Sequence, residues 1–246
     1  MVDRISALPD ELLCHILTFL PTKDAVAAGL LSKRWRPLWR SVSALDFSFQ
    51  RMHRDYYDHD GLYFSNIVYS VLLFRDPATP IKKFNLELHD VLLIDKTVAN
   101  ISKWINFMTQ CRVGIEHLCL HVNAPYRLAP KLPISILSCR TLVVLKLCGL
   151  NFNGVLSTGL PSLKILHIKN VEFTSAVLLK EFLAGCPILE NLKSGRIRIT
   201  GKSSTYRRKL ASLCLPNLQR ADIVHSRLPL QPFSSVTFLR ADIEKV

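Results

Sequence analysis

The amino-acid sequence predicts an α+β chain in which three N-terminal helices are followed by a long series of strand repeats. Two observations lead to this prediction. The first fifty residues carry apolar side chains at helical spacing. After residue 81 the pattern Φ-x-x-Φ-x-Φ, in which Φ is apolar, recurs seven times. These patterns divide the chain into a helical domain over 1–45, a connecting segment over 46–80 and repeats over 81–246.

The first helix has more apolar surface than a single buried face requires. About 100° of arc is enough to bury a helix on one side. The apolar residues of this helix span roughly 160° on a helical wheel: Leu12, Leu13, Ile16, Leu17, Phe19 and Leu20. Pro21 ends the helix after Leu20, and Thr22 caps a short second helix. A third helix, capped by Ser32, is expected to present Leu31, Trp35, Leu38, Trp39 and Val42 on one face.

The residues of this region also carry a family resemblance. The segments LPDELL (8–13) and LSKRWRPLW (31–39) resemble the F-box of plant F-box/leucine-rich-repeat proteins. The resemblance implies that the domain binds a Skp-type adaptor and, through it, the cullin of a ubiquitin ligase. It assigns adaptor binding to Leu8, Pro9, Leu12, Ile16, Leu20, Val26, Trp35, Leu38 and Trp39. Two features depart from the family pattern: the apolar run Ala27-Ala28-Gly29, and Pro37 one turn inside the third helix.

Composition bounds the class of protein. The 246 residues are 49% hydrophobic and 21% charged, as expected of a globular chain with a real core. The sequence shows no secretory signal and no apolar run of membrane-spanning length, so no membrane association is predicted. Seven cysteines, an odd number, fit reduced thiols better than a disulfide framework. We therefore expect an intracellular protein, in the nucleus, the cytoplasm or both.

The net charge of +13 is concentrated in the second half of the chain. Residues 111–246 hold nineteen basic and seven acidic side chains, which leaves +12 there. The densest basic run extends from Lys193 to Lys209, and within it Arg196-Ile197-Arg198-Ile199 alternates like a strand with both arginines on one side. Clustered cations suit phosphate binding, but no zinc finger, RNP-type motif or long basic helix accompanies them. A solvated face or an acidic protein partner is the favoured interpretation over nucleic acid.

The connecting segment gives weaker signals. A short strand is expected over 45–49, then a helix over 61–74 with Leu62, Ile67, Val71 and Phe74 inward, and a turn over 76–80. Between them lies a group of candidate metal ligands: His53, Asp55, Asp58, His59 and Asp60. Their spacing matches no known metal site, so a charged loop is the favoured interpretation.

The seven recurrences of the Φ pattern predict leucine-rich repeats stacked in a solenoid. Their third apolar positions are 34, 27, 21, 26, 29 and 18 residues apart, which brackets the roughly 20–29 residues of such repeats. Each unit is expected to be one strand with an irregular return. Three phrases, over 138–147, 160–173 and 185–192, resemble the same plant family. Many members of that family continue into further repeats and an FBD segment, so we expect either a short member or a truncated product.

The remaining cysteines and histidines have a packing interpretation. Cys139 and Cys186 each precede the first Φ of a repeat by three residues, which predicts one equivalent buried position. The set Cys111, His117, Cys119 and His121 lacks a second ligand pair at zinc-finger spacing, so no metal site is predicted. No nucleophile elbow, phosphate loop or paired carboxylates are present, and we predict neither catalysis nor a cofactor.

The residues that alternate with Φ are expected to form an exposed, basic sheet face. Solenoid sheets of this kind bind partners along their length. We therefore assign target binding to His117, His121, Lys146, His167, Lys169 and Lys193. Together with the resemblance, this predicts a substrate receptor of an SCF-type ubiquitin ligase. Two alternatives remain open: a truncated pseudo-receptor that binds the adaptor without a target, and a basic nucleic-acid-binding repeat protein.

Overall fold

A computed structural model describes most of the chain. It covers residues 4–5, 7–48, 60–88, 100–107, 114–123, 129–153, 159–201, 210, 212–224, 231–233 and 236–242, without the side chains of 60–63, 134 and 231. The α-helices in these ranges are α1 (Asp10–Leu17), α2 (Thr22–Ala27), α3 (Asp60–Phe74), α4 (100–107) and α5 (Ala176–Ala184). Short 3₁₀ segments lie at Ala28–Leu30, Leu38–Ser41, Ile134–Ser138 and Gln231–Phe233. No helix in the ranges covered is long and apolar enough to span a membrane.

The strands form two parallel sheets. In chain order they are β1 (Ala44–Ser48), β2 (Lys83–Leu88), β3 (His117–Val122), β4 (Val144–Cys148), β5 (Asn151–Phe152), β6 (Ile165–Lys169), β7 (Glu172–Phe173), β8 (Asn191–Gly195), β9 (Arg198–Ile199), β10 (Arg220–Val224) and β11 (Phe238–Asp242). The large sheet has the order β1-β2-β3-β4-β6-β8-β10-β11, and β5-β7-β9 form the small one. Chain order and spatial order therefore agree, as they do when repeats stack on their neighbours.

The predicted repeat register is confirmed by the strand pairing. The second Φ positions pair across adjacent strands at one level of the sheet: Phe84, Leu118, Leu145, Leu166, Leu192, Ala221 and Leu239. All of these but Leu239 are buried. The sheet also includes β1, whose Leu45 pairs with Phe84, so the large sheet begins before the first predicted repeat.

A repeated backbone contact joins the units. Before six strands of the large sheet, one carbonyl oxygen accepts hydrogen bonds from two consecutive N–H groups of the next unit, as Glu116 does from Val143 and Val144 at 2.8 and 3.0 Å. The same arrangement recurs at the carbonyls of Ser43, Lys82, Val143, Lys164 and Glu190. Because each of these bonds links two units, the backbone N–H and C=O groups of one unit are fully hydrogen-bonded only when the neighbouring unit is folded against it.

A left-handed residue follows three of the strands and turns the chain from the large sheet to the small one. Gly149, Asn170 and Arg196 have φ values of 71°, 51° and 50°, and each lies one residue after β4, β6 or β8. The prediction of a strand over Arg196–Ile199 is therefore wrong for its first half. Arg196 occupies the turn, and only Arg198–Ile199 pairs as β9.

The return between β6 and β8 is regular, contrary to the predicted irregular return. After β7 the chain forms α5, whose first turn is capped because Ser175 Oγ accepts a hydrogen bond from the Leu178 N–H at 3.1 Å. Phe182 on α5 lies 5.0 Å, between ring centroids, from Phe152 on β5. Phe152 in turn stacks on Phe173 of β7 at 4.4 Å. The small sheet and α5 thus close the core opposite the large sheet.

The N-terminal domain contains two α-helices where three were predicted. The expected third helix is a series of turns ending in the 3₁₀ segment Leu38–Ser41, with i→i+3 bonds such as Trp35 N–H to the Ser32 carbonyl at 3.2 Å. Pro37 has no N–H to donate and so breaks the α-helical bonding pattern here. In addition, α1 ends at Leu17, and Phe19 and Leu20 continue in i→i+3 turns.

Helix α3 was correctly predicted, but one of its apolar residues points outward. Its buried face centres on Val68, Val71 and Arg75. At 3.6 residues per turn, Phe74 lies roughly 100° from that centre, and 57% of its surface is exposed. Arg75 donates a hydrogen bond to the Val42 carbonyl at 3.3 Å and thereby fixes the end of α3 to the N-terminal domain. Leu62 and the candidate metal ligands from His53 to Asp60 have side chains outside the part of the chain described here.

Candidate functional site

The N-terminal domain exposes an unusual share of apolar surface. Of the fifteen large hydrophobic side chains exposed in the described ranges, eight lie between residues 5 and 31. We call them the N-terminal apolar surface: Ile5, Leu12, Ile16, Phe19, Leu20, Val26, Leu30 and Leu31. Single exposed hydrophobics are ordinary, but a concentration of this size on a small domain indicates an interaction surface.

This surface rests on buried residues that belong to the continuous core of the chain. Leu13 and Leu17 of α1 are buried, while Leu12 and Ile16 on the same helix face outward. Trp35 and Leu38 pack within the same core, at 6% and 5% exposure. Buried neighbours of this kind hold α1 in one orientation without help from a partner.

Polar contacts fix the start of α1 as well. Arg34 forms an ion pair with Asp10, with 2.7 Å between Nη2 and Oδ1, and the same guanidinium donates to the Leu8 carbonyl. The Cys14 thiol donates to the Leu38 carbonyl at 3.5 Å. On α2, Thr22 Oγ1 accepts from the Asp46 N–H at 2.7 Å, which couples the helical domain to β1. The apolar surface is thus presented at a defined position relative to the large sheet.

The outward positions of the large sheet form a second candidate site. Its central row runs across the strands in register: Asp46, Asn85, Cys119, Lys146, His167, Lys193, Asp222 and Arg240. The predicted alternation is confirmed, because these residues are half-buried or exposed while the Φ positions of β1 to β10 face the core. Val144 differs from the prediction, since it is only 9% exposed. We call this surface the sheet face.

Its charges are unevenly distributed. The outward positions of β3, β4, β6 and β8 contain three lysines and three histidines and no carboxylate: Lys146, Lys169, Lys193, His117, His121 and His167. Carboxylates lie at either side, with Asp46 and Glu87 on β1 and β2 and Asp222 on β10. The Lys193 ammonium lies 3.6 Å from Asp222 Oδ2. A groove of about 580 Å³ follows this region. Its lining includes Lys146, His167, Lys193, Val144 and Ile165, together with Arg220 and Asp222 of β10.

Two parts of the chain match known family models. Residues 101–231, more than half of the chain, match the family model described as "FBD-associated F-box protein At5g56370, LRR repeats". Residues 5–46 match the F-box domain model. The chain belongs to the F-box/leucine-rich-repeat family. The resemblance to plant proteins of this family is thereby confirmed.

Several relatives come from Arabidopsis thaliana. The chain is 35% identical over 196 residues to F-box/FBD/LRR-repeat protein At1g78750, which covers 79% of this chain and 42% of that protein. It is 36% identical over 191 residues to F-box/LRR-repeat protein 13, covering 78% and 40%. With F-box/LRR-repeat protein At1g55660 it shares 33% identity over 219 residues, covering 87% and 58%. The chain thus spans between two fifths and three fifths of these relatives' lengths.

The F-box residues assigned to adaptor binding fall into three groups. Five are exposed: Pro9, Leu12, Ile16, Leu20 and Val26. Leu8 and Trp39 are partly buried against the core. Trp35 and Leu38 are covered by this chain's own residues and present almost no surface to a partner.

Four members of the N-terminal apolar surface are not among the residues assigned to adaptor binding from the sequence: Ile5, Phe19, Leu30 and Leu31. Phe19 belongs to the apolar arc of the predicted first helix, and the width of that arc beyond one buried face is the signal that could have assigned it. Leu31 is predicted to lie on the apolar face of a third helix that does not form, and Leu30 fits no periodic pattern. Both are exposed in the turn after α2.

The repeats bring together all six residues assigned to target binding. Their surroundings lower the pKa values of two of the histidines. Burial lowers the pKa of His167 from its ordinary value of 6.5, and Lys146 and Lys193 lower it further. Burial likewise lowers the pKa of His117, with Lys83 adding to the effect. Both imidazoles are therefore disposed to stay neutral in the free protein.

Three thiols of the repeats, those of Cys119, Cys148 and Cys186, are poorly suited to reaction. Burial raises the pKa of Cys119 to about 11 and raises that of Cys148 as well. Burial also raises the pKa of Cys186 to about 12. Cys139, predicted to share an equivalent buried position with Cys186, is only half-buried, with its thiol 3.6 Å from the Ile115 carbonyl. Cys111 lies outside the described ranges.

The lowered pKa values of His117 and His167 predict a pH dependence of stability. Unfolding returns each imidazole to an ordinary pKa near 6.5, so below that pH the unfolded chain binds more protons than the folded one. Stability is full above pH 6.5 and should fall as the pH drops through that value. Thermal unfolding between pH 7.5 and 5.5 measures the fall, which we expect to be smaller in the variant His117→Gln/His167→Gln. An equal fall in both proteins would contradict this prediction.

Proposed function

We propose that this chain is a substrate-receptor subunit of an SCF-type cullin-RING ubiquitin ligase. In this proposal the F-box binds a Skp-type adaptor, and the repeats, stacked as a solenoid, bind a target protein through the sheet face. The observation that carries it is the N-terminal apolar surface, which lies on an F-box whose inner side chains are already packed in the core of the chain. The chain itself forms and breaks no covalent bond, and it acts inside the cell, in the nucleus, the cytoplasm or both.

The exposed and buried F-box residues have different roles in this proposal. Pro9, Leu12, Ile16, Leu20 and Val26 contact the adaptor, together with Phe19, Leu30 and Leu31. Trp35 and Leu38 support α1 from inside the domain, and Leu8 and Trp39 lie at the margin of the contact. Apolar side chains of this kind stabilise an interface in proportion to the area they bury.

The mechanism is one of proximity. The adaptor fixes one end of the chain to the ligase, and the sheet face holds the target at the other. A target lysine then meets the ubiquitin-charged conjugating enzyme at a raised effective concentration. The β1–β2 pairing and the hydrogen bond from Asp46 to Thr22 join the two ends rigidly, which supports a fixed distance between adaptor and target.

Charge introduced on the exposed face of α1 tests the adaptor contact. In the variant Leu12→Glu/Ile16→Glu both changes lie at exposed positions, so the domain should remain folded. We expect adaptor affinity to fall about 100-fold or more, because two desolvated carboxylates would lie in an apolar interface. Binding of purified Skp-type adaptor, measured by calorimetry, gives the result.

The matched control makes the same substitution elsewhere. Leu73 and Phe74 are also exposed apolar residues, but they lie on α3, outside the F-box. The variant Leu73→Glu/Phe74→Glu should bind the adaptor like the unaltered chain. Failure of the unaltered chain to bind any Skp-type adaptor, or equal binding by both variants, would overturn the proposal.

A further inference from the structure

The middle of the sheet face is basic without any internal neutralisation. Twelve outward positions on β3, β4, β6 and β8 include Lys146, Lys169 and Lys193, three histidines and no Asp or Glu. Lys193 contacts the flanking Asp222 at 3.6 Å. Burial lowers the pKa of His167, and Lys146 and Lys193, which lie beside it on the neighbouring strands, lower that pKa further. A like-charged cluster of this kind is relieved when an anion binds.

The register sets the dimensions of the cluster. Lys146, His167 and Lys193 lie directly beside one another on β4, β6 and β8. Neighbouring strands are about 4.8 Å apart, so the four strands from β3 to β8 span about 14 Å. An extended peptide rises about 3.3 Å per residue, and about five residues would therefore cross this distance. Alternate side chains of such a peptide would face the central row.

We propose that the sheet face binds a short, extended acidic segment of the target protein, which crosses β3, β4, β6 and β8 and places its Asp or Glu carboxylates against Lys146, Lys169 and Lys193. This inference rests on the proposed function, because it names the chemistry of the target that the receptor would hold. His117 and His167 can then donate to the carboxylates as well.

Three features favour a protein segment over nucleic acid. Val144 and Ile165 lie side by side next to the lysines and line the same groove, so an apolar side chain between two carboxylates finds a matching surface. Asp46 and Glu87 lie on β1 and β2, and Asp222 lines the β10 end of the groove, so these carboxylates would repel a phosphate backbone that continued along the sheet face. The span of about 14 Å is also short for the many phosphate contacts on which nucleic-acid binding depends.

Peptide binding by the full chain tests the proposal. The probe is a fluorescein-labelled peptide of about five alternating glutamate and leucine residues, with its glutamine counterpart and a single-stranded oligonucleotide as comparisons. We expect fluorescence anisotropy to show binding of the glutamate peptide, at least about tenfold weaker binding of the glutamine peptide, and weakening with salt. Equal binding of the two peptides, tighter binding of the oligonucleotide, or no binding of the glutamate peptide would overturn the proposal.

Paired variants locate the contact. Lys146→Glu/Lys169→Glu reverses two charges on the sheet face and should lower affinity for the glutamate peptide about tenfold or more. Lys103→Glu/Lys131→Glu makes the same change in net charge at exposed positions on α4 and beside the small sheet, and should leave affinity unchanged. Lys146→Gln/Lys169→Gln serves if the reversal prevents folding. Equal loss in the sheet-face and control variants would contradict a local site.

Adaptor binding is measured on the same preparations. Loss of peptide binding with adaptor binding intact overturns the acidic-segment inference alone. Peptide binding without any adaptor binding overturns the ligase assignment and leaves the groove as an acidic-peptide site.

Discussion

Replacing Gly149 by alanine should lower the free energy of unfolding by about 3 kcal/mol or more. Gly149 has φ 71°, a conformation that costs an L-residue about 1–2 kcal/mol. An added Cβ would also fall on the carbonyl oxygen of Val122, well inside van der Waals contact. Both effects act where the chain leaves β4 for the small sheet, so the strain cannot be relieved without displacing β3. Chemical denaturation of the full chain measures the change.

Two further variants separate the causes. Gly195→Ala is the control, because its Cβ would lie 3.5 Å from the nearest atom, the Val224 carbonyl oxygen, which is an ordinary contact. It should alter stability by less than about 1 kcal/mol. Gly149→Asn introduces a residue that tolerates a left-handed backbone, as Asn170 does at the equivalent position. Its added Cβ would still clash with the carbonyl oxygen of Val122. A Gly149→Ala variant as stable as Gly195→Ala would contradict the placement of this turn.

The large sheet was predictable because apolar residues recur at every second position along most of its strands. Leu118 and Leu120, or Leu166 and Ile168, alternate with polar residues over a whole strand, and that alternation fixes both the core and the sheet face. The small sheet was not predicted, because two-residue strands such as Glu172–Phe173 are too short to show a period. The left-handed conformation of Arg196 was equally hidden, since nothing about an arginine favours it.

Helix α5 could have been found. Ser175 stands at the N-cap position, and Leu178, Leu179, Phe182 and Leu183 follow at helical spacing. The leucine-rich-repeat pattern predicts an irregular return here, and this prediction conflicts with the helical spacing of the same residues. The structure agrees with the local pattern, since Ser175 caps the first turn of α5.

The composition of the N-terminal domain predicted surplus apolar surface but not its location. Hydrophobicity alone does not distinguish a residue that packs in its own core from one that awaits a partner. Trp35 and Leu38 looked as suitable for a contact as Leu12 and Ile16, and only packing separated them. Pro37 lacks the N–H that a third α-helix would use, and Trp35 is buried in the turns that form instead.

Adjacent leucines on α1 should therefore respond in opposite ways to truncation. Leu13 is fully buried, and Leu13→Ala should cost about 3 kcal/mol of unfolding free energy through lost burial and the cavity left behind. Leu12 is 50% exposed, so Leu12→Ala should change stability by less than about 1 kcal/mol, helped by the high helix propensity of alanine. Thermal or chemical unfolding of the two variants gives the comparison.

In adaptor binding, the larger loss should be seen for Leu12→Ala and the smaller for Leu13→Ala. Under conditions in which both variants are folded, Leu12→Ala should weaken Skp-type adaptor binding about tenfold, the loss expected for truncating an interface anchor. Leu13→Ala should bind nearly as the unaltered chain does, because its side chain makes no outward contact. If Leu13→Ala instead lost binding while fully folded, the adaptor would require a rearranged F-box core. The apolar surface of the free chain would then not be the surface that binds.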